Sequence, residues 1–269
     1  MKEKPPHSIK EIPSSRQSTF DIGYLGVRNH HMKALLELDV THGRELIKQY
    51  RSSNKEPISF TGWIIKCIGQ AVAEHKSVHG IRKGTDKLVI FNDVDISIIV
   101  EKDINAEKVP LPLVIRKVNE KPLQDIQVEI SAAKEQVIVN DRDYVLGNHQ
   151  YKWVMRFYLA LPQFLRIMIW KHILKNPFLM KKMAGTIVVT SVAAIGNAKG
   201  WVIPVSIHPV CFALGSIVKK PGVFEGEITI REYLYMTVLL NHDVIDGAPA
   251  ARFISRLSSL IESGFGIKQ

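Results

Sequence analysis

The stretch from Tyr235 to Ile254 constrains this chain most. An apolar, partly β-branched run, Tyr235-Met236-Thr237-Val238-Leu239-Leu240, ends at Asn241-His242-Asp243. A turn-forming Asp246-Gly247 pair then opens an amphipathic segment, Ala248 to Ile261, with Phe253, Ile254, Leu257, Leu260 and Ile261 on one side. That order reads as strand, tight loop and helix. A histidine at the mouth of a sheet is a candidate general base, because imidazole titrates near neutrality, and Asp246 is a candidate anchor for the loop. The competing reading is a buried histidine with satisfied nitrogens, followed by an Asp that caps the next helix.

A chain of 269 residues holds one α/β domain with a large core. Cys67 and Cys211 sit in apolar segments without Cys-x-x-Cys spacing, so they read as reduced core residues of a cytoplasmic protein. No apolar stretch follows the basic start Met1-Lys2-Glu3-Lys4, which argues against a signal peptide. His30-His31 has no third ligand at metal spacing, so no metal is assigned, and His208 before Pro209 reads as structural.

The formal charge of +10 is concentrated. From Tyr144 to Phe224 there is no Asp or Glu, but Lys152, Arg156, Arg166, Lys171, Lys175, Lys181, Lys182, Lys199, Lys219 and Lys220 are present. Such a field solvates the surface or meets an anion: coenzyme A phosphates, an anionic membrane surface or an acidic partner. No recognition helix, zinc finger or single-strand aromatic motif accompanies it, so no nucleic-acid role is expected.

Residues 1–15 are Pro-, Lys- and Ser-rich and read as a loose arm, with one domain over 16–269. Leu35 to Val40 reads as a strand, and Thr41 to Arg51 as a short helix. Ser59 sits at an N-cap position before Phe60, Ile64, Ile65, Cys67, Ile68, Ala71 and Val72, one buried helical face. Strands are expected over Leu88 to Phe91, Val94 to Val100, Val109 to Arg116, Gly185 to Gly196, Trp201 to Val205 and Val210 to Ile217. Leu123 to Lys134 reads as a helix. Between Gly147 and Met183 lie Trp153, Phe157, Tyr158, Phe164, Met168, Trp170 and further apolar residues interleaved with bases. The segment reads as two helices broken at Pro162 and stopped near Pro177. Pro162, Gln163 and Arg166 interrupt it too soon for a transmembrane span. It packs over the sheet or a neighbouring subunit, or lies on an anionic membrane.

The pattern His242-x-x-x-Asp246-Gly247, followed by Ala248, Ala251, Arg252, Phe253, Ile254, Arg256 and Leu257, resembles the signature of the chloramphenicol acetyltransferase-like superfamily. The nearer branch is the catalytic core of the 2-oxo acid dehydrogenase acyltransferases. Two further stretches are similar to the same family in register: Phe60 to His75 with Ile90 to Ser97, and Gly185 to Gly196. The resemblance covers Arg16 to Ser263, apart from the helical insertion around 147–183. It implies an α/β two-layer sandwich, a mixed sheet flanked by helices, assembled as a homotrimer or higher assembly of trimers with active sites between subunits. It implies His242 as general base on a thiol of coenzyme A or of a dihydrolipoyl arm. Thr190, with Ser191 beside it, takes the place of a hydroxyl facing the oxyanion, and Arg16, four residues before Phe20, pairs with Asp246 to hold the loop, Gly247 following. No metal or prosthetic group is implied.

Two departures mark this chain within that resemblance. It has Asn241-His242-Asp243 where the dehydrogenase cores have Asp-His-Arg, and a carboxylate beside the base favours its protonated form. It shows no lipoyl domain, subunit-binding domain or Ala-Pro linker, so a lipoyl arm comes from another protein. The alternatives are a chloramphenicol-type O-acetyltransferase and a non-catalytic scaffold or membrane-surface protein on the same fold.

Overall fold

The structure is a computed structural model that describes residues 7, 12, 15–53, 58–104, 107–136, 157–191 and 199–267. Apart from residues 7, 12 and 15, the loose arm expected over 1–15 lies outside the described residues, as does the start of the insertion before residue 157. In chain order the elements are α1 (Ser15–Gly26), β1 (His31–Asp39), α2 (Thr41–Ser53), α3 (Phe60–Glu74), β2 (Ile81–Lys83), β3 (Lys87–Val89), β4 (Ile96–Ile104), β5 (Glu107–Ile115) and α4 (Leu123–Glu135). After them come α5 (Gln163–Lys175), α6 (Pro177–Ala184), β6 (Ile187–Ser191), β7 (Val210–Phe224), β8 (Glu227–Asn241) and α7 (Gly247–Glu262).

Six strands make one mixed sheet in the order β1-β8-β7-β6-β4-β5, with β6 parallel to both β4 and β7 and the other pairs antiparallel. Strand residues that alternate toward the helices, among them Ile96, Ile98, Ile187, Val189, Phe212, Met236 and Val238, meet α3, α4 and α7 in the main core. This is the expected sheet-and-helix sandwich. Helix α3 begins where its cap predicts: Ser59 Oγ accepts from the Gly62 N–H at 3.1 Å. Its face Trp63, Ile64, Ile65, Cys67, Ile68, Ala71 and Val72 is wholly buried. Trp63 lies so close to α2 that a Cβ on Gly43 would come within 2.1 Å of the indole, so only glycine fits there.

Strands β7 and β8 run on past the sheet as a two-stranded ribbon, turned by Glu225 and Gly226, both at positive φ, as a two-residue hairpin requires. Cys67 and Cys211 are free and buried, and burial pushes the Cys211 thiol up to about 12.

Three expectations need correction. Trp201 to Val205 forms no strand: both edges of β7 are already taken, by β6 and β8, and Pro204 has no N–H to donate. Trp201 instead stacks on Tyr235, ring centres 4.2 Å apart, and its indole donates to the Leu36 carbonyl at 2.9 Å. The strand expected at Leu88 to Phe91 is the short β3, which pairs only with β2 in a separate hairpin. Helix α5 stops at Lys175, near Pro177 as expected, but Pro177 starts a further helix that was not expected, α6, whose first N–H groups are accepted by Asn176 Oδ1 at 3.1 and 3.2 Å.

The insertion and α1, which the sequence reading did not assign as a helix, build a second core. Ile167, Ile173 and Met180 pack there with Leu25, Ile81 and Ile207. A buried ion pair holds it: Arg166 Nε donates to Asp21 Oδ2 at 2.7 Å and Nη2 to Oδ1 at 3.2 Å. Tyr158 donates to the same carboxylate at 3.0 Å and accepts from the Trp170 indole at 2.9 Å. Burial first, and then Asp21, push the Tyr158 hydroxyl well above the usual phenol range. No described helix is long and apolar enough to cross a membrane.

Candidate active site

Strand β8 is clamped between β1 and β7, and its last residue opens the turn that carries His242. The turn is fixed by main-chain bonds. Asn241 N–H donates to Pro209 O at 2.9 Å and His242 N–H to His30 O at 2.8 Å. Val244 and Ile245 N–H return to Asn241 O at 3.0 and 3.2 Å. Ile245 is buried and pins the loop to the main core. The imidazole itself stays accessible, its side chain 54% exposed, with Nδ1 3.8 Å from Asp246 Oδ1. That spacing suits an ion pair once the ring is protonated and exceeds a hydrogen bond. Asp246 occupies the N-cap of α7, yet its side chain caps no N–H and is 87% exposed. The buried-histidine reading therefore fails, and so does the helix-capping reading of Asp246.

Asp243, next to His242 in sequence, has its side-chain partners elsewhere. Its carboxylate accepts from His30 Nδ1 at 3.0 Å and lies 3.8 Å from Arg82 Nη1 of β2. Its backbone N–H is held by Asn241 Oδ1 at 2.9 Å. The carboxylate is turned onto two other bases. The sequence reading weighed His30 only as a metal ligand and did not single out Arg82. Nothing in the local pattern signals either role, because both contacts join residues far apart in the chain.

Arg16 is exposed on the first turn of α1 and has no ion pair among the described residues. The expected Arg16–Asp246 bond is not made within one chain, where the ion-pair partner of Asp246 is His242. Gly247, the first residue of α7, faces open space, with nothing within 4 Å of the position a Cβ would take.

The hydroxyls lie elsewhere. Thr190, half-buried, and Ser191, exposed, end β6. Thr190 pairs with Ala213, and Ala213 with Thr237, whereas His242 lies beyond Leu240, which pairs with Val210 opposite Ile187. Thr190 is thus two strands over and five residues along from the histidine, about 10 Å across the sheet and about 16 Å along it at ordinary strand spacing. The sheet face that carries Thr190 also carries Val188, Cys211 and Leu239, and is turned away from the main helices. His242 and Thr190 cannot reach one atom of a small ligand inside a single chain. His208 and His79 are structural. His208 Nε2 donates to Ala184 O at 3.0 Å; His79 Nε2 donates to Phe91 O at 3.2 Å, and its Nδ1 accepts from Thr186 Oγ1 at 2.8 Å.

The family model for the 2-oxoacid dehydrogenases acyltransferase (catalytic domain) matches residues 27–141 and 179–265, and the chain belongs to that family. The unmatched interval, 142–178, contains α5. Among curated proteins, the chain is 24% identical over 242 residues to the lipoamide acyltransferase component of the branched-chain alpha-keto acid dehydrogenase complex of Bacillus subtilis (strain 168). That match takes in 87% of this chain and 47% of the relative. The chain therefore spans less than half the length of that protein. Among solved structures, it is similar to a probable dihydrolipoamide acetyltransferase from Listeria monocytogenes 4b F2365 (TM-score 0.69, 18% identity, 97% of this chain and 96% of the other). It is also similar to the cubic core of the pyruvate dehydrogenase multienzyme complex (TM-score 0.67, 18% identity, 97% of each chain). A chloramphenicol acetyltransferase shares the fold at a TM-score of 0.52 and 11% identity, over 98% of this chain and all of the other.

Proposed function

We propose that this protein transfers an acyl group between coenzyme A and a second thiol, that of a dihydrolipoyl arm, at a site formed between two copies of the chain. The observation that carries the reading is the separation just described. An accessible histidine ends one strand, two hydroxyls end another, and about 19 Å lies between them within one chain. A ring of copies sets the histidine of one against the hydroxyls of the next. The family membership, and the likeness to a core that builds a cube, support a homotrimer as that ring.

In this reading His242 Nε2 takes the proton from the thiol, Nδ1 being the nitrogen turned to Asp246. The thiolate attacks the thioester carbonyl, and the carbon–sulfur bond that forms leaves a tetrahedral oxyanion. Thr190 Oγ1, or Ser191 Oγ beside it, donates to that oxygen. Collapse breaks the other carbon–sulfur bond, and the departing sulfur takes the proton back from the imidazolium. While the ring is charged, Asp246 stands 3.8 Å away and favours it.

Subunit mixing tests the reading. H242A alone should lower turnover at least 100-fold, as should T190A combined with S191A. Subunits of the two variants, dissociated and reassembled together, should regain about a quarter of the native rate, because a random ring pairs one intact histidine with one intact hydroxyl at that frequency. No recovery on mixing would place the whole site within one chain and defeat the proposal. Turnover unchanged in H242A would remove the base. A screen of acyl-coenzyme A donors against dihydrolipoamide, chloramphenicol and simple amines identifies the acceptor.

A further inference from the structure

The insertion leaves one surface that the acyltransferase reading does not use. Helix α5 is apolar on two sides. Ile167 and Ile173 face the second core, whereas Phe164 and Met168 remain 64% and 62% exposed. Phe164, Met168, Lys171 and Lys175 follow at intervals of four, three and four residues, which puts them on a single stripe of the helix. Beside it on α6 stand Phe178, 59% exposed, Met183, 52% exposed, and Lys182. A shallow apolar groove between the helices joins the two sets through Ile169, His172 and Leu179.

The charge around this patch is of one sign. Lys171, Lys175 and Lys182 are exposed and make no ion pair among the described residues. Lys83 of β2 adds a fourth ammonium, 5.8 Å from the Phe178 ring. The acids on the elements packed against α5 and α6 are turned inward or matched. Asp21 is buried on Arg166, and Asp93 and Asp95 hold Lys181 at 2.7 and 3.1 Å, with Asp95 also on Arg116 at 2.9 Å. Asp86, at the β2–β3 turn, is the exposed exception.

We propose that the α5–α6 face docks on an anionic phospholipid bilayer, with Phe164, Met168, Phe178 and Met183 entering the headgroup boundary and Lys171, Lys175, Lys182 and Lys83 meeting lipid phosphates. Large apolar side chains that protrude, rather than line a deep hollow, suit a soft partner that needs no matching relief. Interleaved lysines without acids suit an anionic one. A second copy seated face to face would bring lysine against lysine. Helix α5, with 13 residues, is too short to span the hydrocarbon layer and lies on it. The proposal is independent of the acyl-transfer reading.

Co-sedimentation of the full chain tests it, with vesicles of phosphatidylcholine alone and of phosphatidylcholine mixed with phosphatidylserine. Binding is expected only to the mixed vesicles and should weaken as salt is raised. Replacing Lys171, Lys175 and Lys182 together by Gln should weaken it about 100-fold, at roughly fivefold for each lysine. F164S combined with M168S should abolish it, with the thermal midpoint of the free protein unchanged. As a readout that removes nothing, F164W should show blue-shifted emission on the mixed vesicles and none on phosphatidylcholine. Absence of binding to the mixed vesicles, or binding that survives both sets of substitutions, overturns the proposal. It also fails if F164S with M168S lowers the molecular mass of the lipid-free assembly, since the face would then belong to a second copy.

Discussion

The two cores of this molecule are held together by different chemistry. The main core, between the sheet and α3, α4 and α7, is held chiefly by hydrocarbon: Trp63, Phe212, Phe253 and the isoleucines of α3 are fully buried. The second core, under α1, α5 and α6, has few fully buried apolar side chains and closes on one guanidinium and one carboxylate. Apolar packing degrades gradually and tolerates substitutions of similar size. A buried ion pair depends on both partners, because either one left alone is a charge without water. The main core therefore sets how stable the chain is, and the second sets whether the insertion stays docked.

Substitutions sharpen the contrast, in order of expected effect. W63A should cost about 4 kcal/mol in urea denaturation, from the cavity left beside Gly43 and the lost bond from Nε1 to Phe265 O, and should lower the stability of the whole domain. R166A should cost about 3 kcal/mol by leaving Asp21 buried and unpaired, with the loss read first as faster hydrogen exchange in α1 and α5. Replacing both partners, D21L with R166M, should return stability to within about 1 kcal/mol of the native chain. A double variant as unstable as R166A would show that the network through Tyr158, and not the charge pair, holds this core.

The pH dependence comes next. Burial holds both His79 and His208 neutral, each lowered to about 4. The unfolded chain takes up those protons near 6.5, the ordinary histidine value, so stability should be complete above that pH, fall between about 6.5 and 4, and level off below. H79Q should flatten part of that fall, measured as the denaturation midpoint against pH. The smallest effect is expected at the ribbon: I230T, 74% exposed, should change stability by less than about 0.5 kcal/mol.

The contrast also explains what could be read from the sequence. Helix α3 announces itself through Ser59 and a 3.6-residue apolar period, and β8 through its run into Asn241 and His242, because both bury one face in hydrocarbon. The Asp21–Arg166 pair joins residues 145 apart, and no local period marks it. Of ten bases that read as one continuous field, Arg166, Lys181 and Lys220 are matched by acids from distant segments, Lys220 by Glu37, and Lys219 by Glu232 across the β7–β8 hairpin. Charge runs report composition, and folding decides which members face water. At the site, position was legible and partnership was not. His242, Thr190 and Ser191 occupy strand ends as expected, whereas the Asp246 contact and the His30–Asp243 pair depend on how the turn closes in space.

The strand that presents His242 pairs along its length with β1, residue for residue from His31–Asn241 to Asp39–Tyr233. Closing that ladder joins regions separated by about 200 residues, the kind of contact that forms slowly and late. A nascent chain can complete α3 while still emerging from the ribosome, but it cannot aim the imidazole until its last strand has slotted in between two others. The place of His242 is thus fixed only together with the finished sheet, and a partly folded copy has no defined position for it.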